Sequence, residues 1–140
     1  MKTIFRIFFS DKIEFLFAKG ERIELSKDNR WFGCITPDKQ LQVVDLENST
    51  KSSYPDMQSY SFAGSGDFLA GFQKTESAEV FCIIELKTKA ITRIEGVKKF
   101  SWQPNKKSLL LTLNFEGQNK LVVYDVENKA QKVIKESQQS

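Results

Sequence analysis

Ser65 is the side chain that most invites a chemical reading. It lies in Ala63-Gly64-Ser65-Gly66, close to the G-x-S-x-G elbow that presents a catalytic serine on a strand-to-helix turn. The elbow needs glycine where Ala63 stands, a helix after the turn, and a histidine to take the serine proton. The chain has no histidine among its 140 residues. Ser-His-Asp and Cys-His mechanisms and His-ligated metal sites are thereby excluded. Ser65 is read as a turn residue, with Gly64 and Gly66 supplying positive-φ geometry. Gly64, Gly66 and Gly71 do not make a G-x-G-x-x-G cradle, and no helix start follows to hold a phosphate.

Three acids are spaced forty residues apart, Asp45, Glu85 and Asp125. Clustered carboxylates bind Ca²⁺ through about 6–8 oxygens. These sit at equivalent places in successive units, which should spread them apart. Each is expected to accept local backbone N–H groups in a turn. No cofactor and no metal site is expected. Cys34 and Cys82 lie in separate apolar runs and read as buried free thiols. Asn48-Ser49-Thr50 matches the glycosylation triplet, a frequent chance match.

Residues 87–107 hold Lys87, Lys89, Arg93, Lys98, Lys99, Lys106 and Lys107 against Glu95 alone, with Phe100 and Trp102 among them. Basic and aromatic residues together can bind single-stranded nucleic acid. The expected strand positions divide the set. Lys98 and Lys99 enter an inner strand from one rim, and Lys87, Lys89, Lys106 and Lys107 sit in turns on the other. These four are the candidate partner-binding residues. The split favours plain solvated rim charge; as a binding surface the set would take an acidic protein ahead of nucleic acid, and a net charge of +3 is too mild by itself to mark a nucleic-acid protein.

The elements that carry these residues follow from a repeat. Val43-Val44-Asp45-Leu46-Glu47-Asn48, Ile83-Ile84-Glu85-Leu86-Lys87-Thr88 and Val123-Tyr124-Asp125-Val126-Glu127-Asn128 are copies of one phrase. Upstream of each stands a second phrase, an apolar residue, a small polar turn and a strand. Its copies begin at Leu25, Phe62 and Trp102. The distance between phrases is 20 residues in the first copy and 23 in the others, the difference falling in a hairpin loop. Trp31 to Ile35, Phe68 to Phe72 and Ser108 to Leu113 read as second strands. Leu41 to Leu46, Val80 to Leu86 and Lys120 to Val126 read as third strands, rich in β-branched and aromatic residues. Weaker strands follow at Lys51 to Tyr54, Ala90 to Ile94 and Ala130 to Ile134. Four short strands in about forty residues is the pattern of a propeller blade.

The expected fold is therefore all-β, with about three antiparallel four-stranded blades in one domain, an incomplete or open propeller. Residues 1–21 are a partial blade or hairpin around Ser10-Asp11. Blades span 22–56, 57–96 and 97–136, and 137–140 are a tail. Closed propellers have 4–8 blades. Three leave sheet faces and edges open to further blades, a partner or another copy. A hydrophobic content of 40% with 28% charged residues excludes a disordered chain. No apolar run approaches a membrane-spanning helix of ~20 residues, and no membrane contact is expected. Arg6, Asp11, Lys12 and Glu14 break the start as a signal peptide. The sequence as written reads as cytoplasmic, and a truncated gene start would make it periplasmic or secreted.

Together these phrases resemble the N-terminal propeller of the prolyl oligopeptidase family of serine peptidases. Ile94, Val97, Phe100 and Trp102 match the Ile-x-x-Val-x-x-Phe-x-Trp segment of bacterial members. The resemblance covers about residues 22–136. Tol-B-type and WD-repeat propellers share much of it, although the Trp-Asp dipeptide is absent. It implies a non-catalytic binding or scaffolding segment like the propeller that gates substrate entry to a hydrolase domain. Protein or peptide partners are implied, among them a hydrolase domain or further blades. The family's catalytic residues lie in that other domain and transfer to no position here. The alternative is a standalone adaptor whose basic rim holds an acidic protein or nucleic acid, and a third reading is a gene remnant.

Overall fold

The computed structural model describes the backbone of residues 4–9, 13–18, 21–76 and 78–138, and the side chains of 23–76 and 78–135. A hairpin pairs β1 (Ile4–Phe9) with β2 (Ile13–Ala18). Ser10-Asp11, the turn expected there, lies outside the described residues. Three antiparallel four-stranded meanders follow. The first holds β3 (Glu21–Leu25), β4 (Trp31–Ile35), β5 (Leu41–Asp45) and β6 (Thr50–Tyr54). The second holds β7 (Met57–Phe62), β8 (Phe68–Lys74), β9 (Glu79–Glu85) and β10 (Ile91–Ile94). The third holds β11 (Val97–Trp102), β12 (Ser108–Phe115), β13 (Gln118–Asp125) and β14 (Ala130–Gln138). This is the all-β, open-propeller architecture that the repeat predicts.

The sheets stack face on face, and side-chain alternation assigns the two contacts. Trp31, Ile35, Leu41 and Val43 of the first sheet meet Tyr60, Phe62, Leu69, Cys82 and Ile84 of the second. Phe68, Ala70, Phe81 and Ile83, on the second sheet's other face, meet Leu109, Leu111, Val122 and Tyr124 of the third. The middle sheet is thus buried on both sides, which is why Val80-Phe81-Cys82-Ile83-Ile84 is an unbroken apolar run. Strand β12 instead alternates. Leu109, Leu111 and Leu113 are buried, and Leu110, Thr112 and Asn114 are half-buried on the opposite face. Phe72, Phe81 and Phe100 cluster at the second contact, with the Phe81 and Phe100 centroids 5.0 Å apart.

Hydrogen bonds also cross between sheets. The Trp102 indole donates to the Ser61 carbonyl at 2.9 Å, and the Phe62 amide donates to the Glu24 carboxylate at 3.3 Å. Phe100 and Trp102 pack partly buried against the second core, so they serve between sheets, as expected of inner-strand aromatics.

Candidate binding surface

One end of the stack is built from the same turn three times over. Ser26, Ala63 and Gln103 donate their amides to the carbonyls of Trp31, Phe68 and Ser108 at 2.8, 2.8 and 3.0 Å. Leu46, Leu86 and Val126 donate to the carbonyls of Arg30, Asp67 and Lys107 at 2.7, 3.0 and 3.0 Å. Ser49, Lys89 and Lys129, again forty apart, all take left-handed φ, at 58, 66 and 53°. The turns that open the second strand and close the third therefore share one rim.

Ser65 lies in the strand-to-strand turn between β7 and β8, as expected, so no elbow forms. Its hydroxyl is buried without a protein partner. Gly66 takes φ 91°. Gly64 does not take positive φ, contrary to expectation; there a Cβ would meet the Asn105 amide nitrogen at 3.2 Å, so it is space that the position requires.

Asp45 and Asp125 are the turn acids the spacing suggests. The Asp45 carboxylate accepts the amides of Glu47 and Asn48 at 3.0 and 3.3 Å, and Asp125 those of Glu127 and Asn128 at 3.0 and 3.1 Å. In both turns the asparagine side chain adds a bond of 2.9 Å. Glu85, one methylene longer, keeps only the backbone bond of this turn, its carbonyl accepting the Lys89 amide at 2.7 Å as the Asp45 carbonyl accepts that of Ser49 at 2.7 Å. Asp45 is also buried, at 6% exposure. Arg30 donates to it through Nε at 3.2 Å and a terminal nitrogen at 3.1 Å, and its guanidinium lies 5.0 Å from the Trp31 ring centroid. Burial alone would raise the Asp45 carboxyl. The bonds from Arg30, then those of Asn48 and the Glu47 amide, outweigh it and hold the group below its ordinary range.

This cluster forms a wall of a cavity of about 500 Å³ between the first and second sheets, lined also by Val43, Thr50, Ser52, Leu86, Lys87 and Lys89. A second cavity of about 460 Å³ lies where the ends of β3, β7 and β11 converge, between Glu24, Ser26, Ser61, Phe100 and Trp102. Of the four lysines singled out from the sequence, the structure brings Lys87 and Lys89 to the first cavity. Lys107 does not line it; it lies 2.7 Å from Glu127 and 3.7 Å from Asp67, the acid that Lys87 also approaches at 3.8 Å. Lys106 is exposed and lines neither cavity. The same rim carries Asp28, Asp45, Glu47, Asp67, Asp125 and Glu127, so its charge is mixed. Sequence reading missed Arg30. The signal was its place directly before Trp31, whose register partner across the ladder is Asp45.

No family model and no curated protein sequence matches the chain. Solved structures do. The β-propeller domain of the Trilobed protease from Pyrococcus furiosus, described as having an open velcro topology, aligns over 87% of this chain and 44% of its own, at 14% identity and a TM-score of 0.59. TolB from Acinetobacter baumannii aligns over 79% of this chain and 31% of its own, at 16% identity and 0.54. The WD40 domain of SCAP from fission yeast aligns over 99% of this chain and 35% of its own, at 12% identity and 0.55. The chain thus spans less than half the length of each of these structures. At such identities the likeness concerns the fold, and the fold it shares is that of β-propeller domains from peptidases, TolB and WD-repeat proteins.

Proposed function

We propose that the chain is a non-catalytic binding and scaffolding propeller segment. Its role resembles that of a propeller which positions or filters substrates for a peptidase, and its ligand is a protein or peptide. The observation that carries this reading is the triplicated turn rim, which sets two cavities between stacked sheets at the end where the loops converge. Rigid sheets presenting variable loops are a common way to hold a partner. The third sheet supplies a second scaffold feature. Its outward Leu110, Leu121 and Val123 are equivalent by the forty-residue repeat to Ala70, Phe81 and Ile83, which pack on a neighbouring sheet. A further blade of the same kind is the expected cover for that face.

Peptide phage display against the purified chain tests the binding role. Selected peptides should lose affinity when the loop rim is altered by Lys89→Glu, and should keep it when the opposite rim is altered by Lys98→Glu. Peptide hydrolysis that disappears in Ser65→Ala, or binders indifferent to the loop rim, would overturn it.

A further inference from the structure

The cavity between the first and second sheets has a composition that protein binding in general does not account for. Its one acid is already satisfied, since both Asp45 oxygens accept bonds from Arg30, Asn48 and the Glu47 amide. Arg30 is committed in turn to Asp45, with Glu47 at 3.4 Å. The cations left over are Lys87 and Lys89. Lys87 is 53% exposed and reaches Asp67 only at 3.8 Å. Among the described residues Lys89 makes no ion pair, and its left-handed backbone sits at the tip of the turn. Thr50 and Ser52 add hydroxyls, and Val43 and Leu86 give apolar surface. Trp31 lines the cavity at 4% exposure, and its indole N–H is buried with no acceptor. The ring adds apolar surface beside Val43 and Leu86, and its N–H lies too deep for a ligand to reach.

We propose that this cavity receives a carboxylate side chain of an acidic peptide segment, with an adjacent apolar residue lying on Val43 and Leu86. The proposal rests on the protein-binding reading above and specifies its ligand. Lys87 and Lys89 meet the carboxylate, and the neutralised Arg30–Asp45 pair keeps the wall rigid. A nucleic acid fits less well, because Glu47 beside Arg30 and Asp67 beside Lys87 interrupt the basic surface that an unbroken run of phosphates needs, whereas one carboxylate needs only the two lysines.

Fluorescence anisotropy with a short labelled peptide alternating Glu and Leu tests this, against the same peptide carrying Gln. The chain should bind the Glu peptide and not the Gln peptide, with affinity falling as salt rises. Lys87→Glu with Lys89→Glu should weaken binding about tenfold or more, since charge reversal turns attraction into repulsion. Lys98→Glu with Lys99→Glu should leave it within about twofold. If the first pair fails to fold in a thermal melt, Lys87→Gln with Lys89→Gln replaces it, and about a threefold loss is expected. Equal binding of the Gln peptide, or equal loss in the Lys98/Lys99 pair, overturns the proposal. Displacement of the peptide by single-stranded DNA with the same Lys87 and Lys89 dependence overturns the choice of ligand. Display-selected peptides that lack acids yet depend on the loop rim would refute this site and leave the general binding role standing.

Discussion

Asp45 does its work by collecting donors. Its carboxylate gathers the guanidinium of Arg30 and the amides of the turn that follows, and so ties the start of β4 to the end of β5. Replacing it with Asn keeps the shape and removes the charge. We expect Asp45→Asn to cost about 2 kcal/mol at neutral pH, the scale of hydrogen bonds to a charged group. The folded-state group titrates below its ordinary value, so this stability is fully present above the usual carboxylate range. It is lost as pH falls through the lowered value. The gap between wild type and Asp45→Asn in urea melts should therefore close on acidification, and a gap that widened would contradict the assignment. Burial pushes the Cys82 thiol up to about 11 and raises Cys34 as well. Ellman's reagent should find neither thiol in the native protein and both in denaturant. At this scale the sequence was legible where a residue acts within its own turn, as Asp45 and Asp125 do. Arg30 was not, because its partner is fifteen residues away across a ladder, and neither were the ion pairs of Lys107, because Glu127 and Asp67 come from other turns, one of them in the adjacent sheet.

The strands show which positions bear the fold. Leu111 is fully buried and Leu110, its neighbour in β12, faces outward and is half-buried. Leu111→Ala should cost about 3 kcal/mol through lost burial and a cavity. Leu110→Ala should cost roughly a third of that, since less area leaves water. Urea denaturation of the two variants measures the difference, and equal losses would reverse the assigned faces. Gly71 is a second such position. A Cβ there would collide with the Ser59 carbonyl oxygen and meet the Tyr60 Cα at 2.9 Å, where β7 is bulged against β8. Backbone cannot give way as a side-chain tip can, so Gly71→Ala should unfold at markedly lower urea than wild type. The strand pattern itself was readable from forty-residue spacing and β-branched runs. What the spacing could not convey was which face of each strand meets which neighbour. Alternation in β12 separates an inner from an outer face, whereas the apolar run of β9 only makes sense once both faces are covered.

On the scale of the whole molecule, two inter-sheet cores hold three like units in a row, and the contacts between units repeat with the sequence. Trp31, Leu41 and Tyr60 belong to one core, and Phe81, Phe100 and Leu111 to the other. The loop rim, its cavities and the proposed partner-binding role all depend on that stacking, because no single sheet encloses them. NOE spectroscopy on the labelled chain is the most direct test. The account predicts ring contacts of Tyr60 with first-sheet residues such as Trp31 and Leu41, and of Phe81 with Phe100 and the Leu111 methyls of the third sheet. Contacts joining the Leu111 methyls to Trp31 or Leu41 instead, as a single closed barrel would give, would contradict it.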